Sequence, residues 1–198
     1  MDAFRYGLAL VILCAVPSML LWWPVVHGGI HLWRRLGPAT TYSVVLGGAV
    51  LSVIAVAQAR AVLLSIQFGT RWPLVAAGVG CLIVAGWFRA VLHRNVSGTL
   101  FLGLPELDPS RHLQGLVRTG VYARIRHPRY LQLWLVLLGY ALVANYLATY
   151  AIWLLWVPAA YVTTWFEERE LRERFGDEYA RYCQQVPRFG GRRHAPFS

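Results

Sequence analysis

Five stretches of this chain are long and apolar enough to predict membrane-spanning helices. A spanning helix needs about 20 mostly apolar residues, because the hydrocarbon core is about 30 Å thick and each helical residue rises about 1.5 Å. Tryptophans flank several of the stretches, as is common where lipid headgroups meet hydrocarbon. The predicted spans are 7–26, 41–59, 73–88, 131–144 and 150–166. We therefore expect an all-α polytopic membrane protein with about five transmembrane helices.

The composition favours membrane lipids over nucleic acid as the partner of the basic residues. Hydrophobic residues make up 57% of the chain and charged residues only 14%, whereas soluble domains carry roughly 25% charged residues. A net charge of +10 would indicate nucleic-acid binding in a soluble protein. Here the arginines lie beside apolar spans, where an anionic leaflet attracts them. We predict contact with membrane lipids and no nucleic acid.

The distribution of arginines predicts how the chain is oriented. All 19 basic residues are arginines, of which 16 fall on one side of the predicted spans. The other side holds only Arg5, Arg60 and Arg71. Loops rich in positive charge stay in the cytoplasm. We therefore predict a multi-pass protein of the cytoplasmic (inner) membrane, with its N-terminus outside and its C-terminus in the cytosol.

The spans divide the chain into four parts of one membrane-embedded domain. Three spans lie within 7–91, a cytosolic loop follows at 92–130, a helical hairpin occupies 131–166, and 167–198 forms a cytosolic amphipathic helix and tail. The hairpin is predicted because only a few residues around Asn145 separate its two helices. The cysteines show no paired spacing, so neither a disulfide framework nor a metal site is predicted.

The end of the cytosolic loop has the features of an anion-binding helix start. Pro128 suits the first position of a helix, which places His127 at the N-cap of the fourth span. The free N–H groups of a first helical turn attract carboxylates, and the guanidinium of Arg126 is adjacent in sequence. The alternative is a basic juxtamembrane cluster that binds lipid phosphates, with Tyr122 and Tyr130 as interfacial anchors.

A pair of glutamates follows the fifth span directly. Glu168 has Arg172 four residues onward as a helical partner, whereas Glu167 has no cation at that spacing. A carboxylate at the edge of the membrane is costly unless it faces a cavity or a partner; the alternative is a solvated glutamate. The hairpin brings these glutamates to Arg126 and His127, so we expect anionic and cationic groups to meet in a site for a zwitterionic ligand.

An ordered set of residues runs through both polar segments: Leu116, Val117, Gly120, Tyr122, Arg126, His127, Pro128, Tyr130, Glu167, Glu168, Leu171, Phe175, Gly176, Tyr179, Tyr182, Val186 and Pro187. Around a helical hairpin, this set resembles the integral membrane methyltransferases of the isoprenylcysteine carboxyl methyltransferase and phospholipid methyltransferase superfamily. The resemblance covers roughly the last 85 residues. It departs at Gln132, where the superfamily commonly has glycine, and at Val121, where it often has proline.

The resemblance implies an enzyme that uses S-adenosylmethionine as its cofactor without a Rossmann fold. Its acceptor would be a lipophilic small molecule or prenylated substrate that enters from the bilayer, and would offer a carboxylate, an amine or a thiol. Arg126, Glu167 and Glu168 are the catalytic candidates that the resemblance implies. The candidates for holding an anionic acceptor are Arg124, Arg129 and Arg188.

The resemblance also implies how the cofactor is held. Arg126 and the helix start at His127 and Pro128 would bind the carboxylate of the methionine moiety. Tyr122 and Tyr130 would line the cofactor pocket, while Glu167 and Glu168 would face the ammonium or the sulfonium group.

Two other functions also fit these sequence features. A membrane reductase of the sterol-reductase type would use NADPH and also carries an Arg-His-Pro segment before a C-terminal hairpin. The residues that follow in this chain, Arg129 to Leu133, do not match the usual continuation in those reductases. The second alternative is a non-enzymatic lipid-binding membrane protein whose basic loop holds headgroups.

Overall fold

The computed structural model describes residues 1–93 and 115–190, which fold into five α-helices. The described residues contain no β-strand beyond one isolated bridge, so the prediction of an all-helical chain is confirmed. The predicted loop residues 94–114 and the tail 191–198 lie outside the described residues. The helices are α1 (Asp2–Gly28), α2 (Ile30–Leu63), α3 (Trp72–His93), α4 (Pro128–Ala144) and α5 (Leu147–Gln185), with a short 3-10 helix at Gly120–Ala123.

Three of the described helices contain stretches that are long and apolar enough to cross a membrane. These stretches are Arg35–Leu63, Trp72–His93 and Leu147–Gln185. α5 has 39 residues and a length of about 58 Å, roughly twice the thickness of the hydrocarbon core. Only part of α5 can therefore lie in the bilayer. The predicted fifth span and the amphipathic helix after it are parts of this one helix, which has a local break at Gly176 (φ 51°).

The predicted helical hairpin is present, and α4 and α5 are its two arms. Asn145 ends α4 in the left-handed conformation (φ 56°, ψ 49°), and its N–H donates to Ala141 O at 2.8 Å. Asparagine tolerates this conformation because its short polar side chain can hydrogen-bond locally. Here its amide donates to Gly69 O at 2.9 Å and accepts from the Tyr150 hydroxyl at 2.9 Å. The sharp turn is thus stabilised from three sides.

A buried arginine fixes α1 against the turn of the hairpin. The Arg5 side chain is fully buried, and its Nε donates to Ala144 O at 3.0 Å. Asp2 accepts from the same guanidinium at 3.1 Å. The last carbonyls of a helix lack partners within the helix, so a cation placed there satisfies them. At this end of the bundle, the N-terminus therefore lies beside the loop between α2 and α3 and beside the hairpin turn.

α3 supports α4 through a close approach of two glycines. A Cβ at Gly78 would lie 2.7 Å from Gly139 O, and a Cβ at Gly139 would lie 2.8 Å from Gly78 O. Small residues allow two helix backbones to meet this closely, which is a common mode of packing between membrane helices. α4 is thereby held between α3 and α5, and its first turn projects at the end of the bundle opposite to Asn145.

Candidate functional site

The first turn of α4 is tied to the C-terminal segment of the chain. Pro128 occupies the start of the helix and His127 its N-cap, as predicted. The backbone N–H of Arg126 donates to Pro187 O at 3.0 Å, and that of His127 donates to Arg188 O at 3.1 Å. These bonds run side by side, so the segment after α5 holds the residues before α4 in a defined position.

The glutamates of α5 reach the same point from the other arm of the hairpin. His127 Nε2 lies 3.0 Å from Glu168 Oε1, and His127 Nδ1 lies 3.4 Å from Glu167 Oε2. Arg126 Nη2 lies 3.4 Å from Glu168 Oε1, and the hydroxyl of Tyr130 donates to Glu167. The expected meeting of cationic and anionic residues from the two segments is thus observed.

The two glutamates have different environments. The Glu168 side chain is only 2% exposed and receives two hydrogen bonds from Arg188, at 2.9 Å and 2.6 Å. The Glu167 side chain is 17% exposed and lines a cavity between α4 and α5, whereas Glu168 lies behind that lining. The sequence already distinguishes Glu167, which has no cation four residues onward, from Glu168. The geometry adds that Glu167 lines the cavity and that Glu168 is enclosed by Arg126, His127 and Arg188.

The enclosed carboxylate stays ionised because its cationic neighbours outweigh its burial. Burial alone raises the pKa of Glu168, but hydrogen bonds from His127 and Arg188 and the charge of Arg126 lower it to about 2. The same contacts shift the pKa of His127 in the opposite direction. Burial lowers the pKa of its imidazole, yet hydrogen bonds with Glu167 and Glu168 prevail and raise it above 6.5. His127 therefore holds its proton more tightly in the folded protein than in water.

This shift predicts a dependence of stability on pH. A raised pKa in the folded state gives a stabilisation that is complete below the ordinary value of 6.5 and is lost as the pH rises through the raised value. The melting temperature in detergent, compared between wild type and His127→Gln from about pH 6 to about pH 9, checks this. The difference between the two proteins should be largest at the acidic end. A difference that is constant with pH would contradict the expectation.

Two residues of the cavity lining carry a buried donor without a hydrogen-bond partner among the described residues. These are Arg126 Nε and the Tyr179 hydroxyl, and both residues line the cavity. Arg126 Nη1 contacts Cys183 Sγ, which fixes the guanidinium from the side of α5. Unsatisfied buried donors are costly and rare. An acceptor oxygen of a ligand in the cavity would satisfy them, so the donor set suits a carboxylate.

The remaining predicted site residues are distributed between the cavity and its surroundings. Tyr122 lines the cavity, and its backbone carbonyl accepts from the Tyr182 hydroxyl at 2.6 Å. Of the three arginines predicted to hold an acceptor, only Arg129 lines the cavity. Arg124 is exposed and lies outside this lining. Arg188 also lies outside the lining, where it forms an ion pair with Glu168.

The structure also adds two residues that are not among the predicted site residues. Glu170 and Arg174 both line the cavity, and Glu170 is only 7% exposed. They lie three and seven residues after Glu167, which is the spacing of one helix face. That spacing is the signal that could have identified them.

Comparison with known proteins gives one family match. A family model described as "Phospholipid methyltransferase" matches residues 74–178, slightly more than half of the chain. The match begins in α3, further upstream than the residues that carry the resemblance, and it includes both the Arg126–Pro128 segment and the two glutamates. Comparisons with curated proteins and with solved structures give no match.

Proposed function

Since the chain belongs to the phospholipid methyltransferase family of membrane methyltransferases, we propose that its cofactor is S-adenosylmethionine and that its acceptor is a lipophilic molecule at the cytosolic face of the membrane. The observation that carries this proposal is the cavity between α4 and α5. Arg126, whose Nε has no hydrogen-bond partner among the described residues, and Glu167 both line this cavity. A small ligand with both a carboxylate and an ammonium group matches these opposite charges.

The cationic side of the cavity would bind the carboxylate of the methionine moiety. Arg126 Nε and the Tyr179 hydroxyl are donors that lack a partner among the described residues. The first turn of α4 adds the positive end of a helix dipole, which favours an anion at this position. His127 and Pro128, which begin that turn, also line the cavity. The residues present therefore fit the carboxylate end of the cofactor.

The anionic side would bind the ammonium or the sulfonium group. Glu167 is the carboxylate for this role, because it lines the cavity and the Tyr130 hydroxyl donates to its Oε1 and helps to orient it. Glu168 supports the site from behind, by orienting His127 and Arg126. Tyr122 and Tyr130 line the walls, where aromatic faces attract a cation.

The main contribution of the protein to the reaction would be to align the methyl donor with the acceptor. S-adenosylmethionine supplies a methyl group that its sulfonium has already activated for displacement. The residues of this chain bind the amino-acid end, orient the donor and exclude water, and alignment of this kind contributes several kcal/mol, up to about 10 kcal/mol. Arg129 would hold an anionic acceptor group at the edge of the cavity. A carboxylate acceptor needs no base, whereas an amine or thiol must first lose a proton.

Calorimetry on the detergent-solubilised protein tests the proposed cofactor. S-adenosylhomocysteine, the product form, should bind to a single site, and NADPH should not bind. Binding of NADPH instead would indicate a reductase, and binding of neither would indicate a lipid-binding protein. Mass spectrometry of lipid extracts from cells with and without the protein would then identify the acceptor by the mass of one added methyl group.

The proposed orientation is testable with single cysteines in a background where the three native cysteines are replaced. Gln184→Cys lies on the exposed part of α5 beside the site, and Ser65→Cys lies on the exposed loop at the other end of the bundle. In intact cells an impermeant thiol reagent should label Ser65→Cys and leave Gln184→Cys unmodified until the cells are opened. The opposite labelling pattern would show that the protein has the inverse orientation in the membrane.

A further inference from the structure

Arg188 makes a forked ion pair with Glu168. Its Nε donates to Glu168 Oε1 at 2.9 Å and its Nη2 donates to Glu168 Oε2 at 2.6 Å. Arginine and a carboxylate joined in this forked geometry form one of the strongest and most directional pairs in proteins. The side chains are 19% and 2% exposed, respectively, so solvent screens the pair only weakly.

Two further contacts hold Arg188 in place. Its backbone carbonyl accepts from the N–H of His127 at 3.1 Å, and its guanidinium lies over the ring of Tyr161, 4.9 Å from the centroid. One residue thus connects the segment after α5, the N-cap of α4 and the carboxylate of α5. Arg188 does not line the cavity. Its contacts support a role in shaping the site rather than in touching a ligand.

We propose that Arg188 is a positioning residue of the cofactor site: it fixes and neutralises Glu168, so that Glu168 orients Arg126 and His127 while Glu167 stays available to the cofactor. This inference rests on the proposed function. The amino-acid end of the cofactor does not need to touch Arg188. It needs the guanidinium of Arg126 and the carboxylate of Glu167 at a fixed separation, which the ion pair between Arg188 and Glu168 maintains.

The ion pair between Arg188 and Glu168 also determines how strongly the negative charge of Glu168 acts on His127. Arg188 Nε and His127 Nε2 both contact the same oxygen, Glu168 Oε1. Without the cation at position 188, more of the carboxylate charge acts on the imidazole, and its pKa rises further. The charged groups around His127 are Glu167 and Glu168 on α5, Arg126 beside it and Arg188 on the C-terminal segment, with Tyr130 as the titratable neighbour on α4.

Three variants separate this role from a purely structural one. Arg188→Gln removes the charge and the fork, Arg188→Lys keeps the charge without the fork, and Arg169→Gln removes an arginine from an exposed ion pair with Glu173. The readouts are the Kd of S-adenosylhomocysteine by calorimetry, the pH at which that binding declines, and the melting temperature.

Arg188→Gln should raise the Kd about tenfold, which corresponds to the loss of one charge-assisted hydrogen bond. The positive charge of protonated His127, which lines the cavity, favours the ligand carboxylate, so binding should decline as His127 loses its proton. Arg188→Gln should move this decline to higher pH, because His127 then retains its proton longer. Arg188→Lys should restore the wild-type pH of decline and only part of the affinity. Arg169→Gln should match wild type in all three readouts.

The outcomes distinguish failure of the inference from failure of the proposed function. If wild type does not bind S-adenosylhomocysteine, the proposed function fails and this inference fails with it. If wild type binds, and Arg188→Gln lowers the melting temperature while leaving Kd and pH dependence unchanged, Arg188 is merely structural. If Arg188→Gln does not fold, Arg188→Lys decides: a raised Kd supports the inference and an unchanged Kd overturns it.

Discussion

Replacing Glu167 with glutamine is expected to weaken the binding of S-adenosylhomocysteine about 100-fold, or about 2.7 kcal/mol, with a smaller loss of stability than Glu168→Gln. The carboxylate lines the cavity, and its exchange for a neutral amide removes the charge that pairs with the ligand ammonium. Hydrogen bonds to charged groups contribute about 1.5–3 kcal/mol each. Calorimetry gives the Kd, and thermal unfolding in detergent gives the stability.

Two controls make the Glu167 result specific. Glu173→Gln removes a carboxylate from the same helix, but this side chain is 44% exposed and pairs with Arg169, so the Kd should not change. The second control is the ligand 5′-methylthioadenosine, which lacks both the carboxylate and the ammonium. Its affinity should be nearly the same for wild type and Glu167→Gln. An equal loss for both ligands would show that the substitution distorts the pocket instead of removing one interaction.

Replacing Glu168 with glutamine is expected to have its main effect on folding. The side chain is 2% exposed and contacts Arg126, His127 and Arg188. Removing one member of a buried ionic cluster leaves the others without a counter-charge and costs about 3 kcal/mol or more. For a chain of this size that corresponds to a fall in melting temperature of about 8 °C. We expect the largest destabilisation among single substitutions in the site.

The stability of the protein at acidic pH tests the role assigned to Glu168. A pKa lowered to about 2 from the ordinary 4.5 gives a stabilisation that is present above 4.5 and is lost as the pH falls towards 2. Wild type should therefore lose stability across this window, and Glu168→Gln should lose much less. Parallel curves for the two proteins, or a melting temperature unchanged at neutral pH, would show that Glu168 does not have this role.

The sequence predicts those parts of the fold that depend on local pattern. Apolar runs identify the helices because hydropathy and length act over neighbouring residues, and the short connection at Asn145 implies the hairpin. The hairpin in turn implies that Arg126 and His127 meet the glutamates of α5, since both sets lie at its open end. The family match from residue 74 agrees with the resemblance carried by these segments.

What the sequence does not predict depends on contacts between distant residues. Helical spacing distinguishes Glu167 from Glu168, but it does not show which residues surround Glu168. Only the packing of α5 brings Arg126, His127 and Arg188 to that carboxylate. Arg188 joins Glu168 across 20 residues, and Arg5 reaches Ala144 O across 139 residues. No periodicity or spacing encodes such pairs, because each is fixed by the docking of one element on another.

The decisive measurement is a crystal or cryo-electron microscopy structure with S-adenosylhomocysteine bound. We expect the ligand in the cavity between α4 and α5, with its carboxylate at hydrogen-bond distance from the Arg126 guanidinium and its ammonium at hydrogen-bond distance from Glu167. A ligand bound elsewhere in the protein, or bound here with its charged groups directed away from both residues, would contradict it.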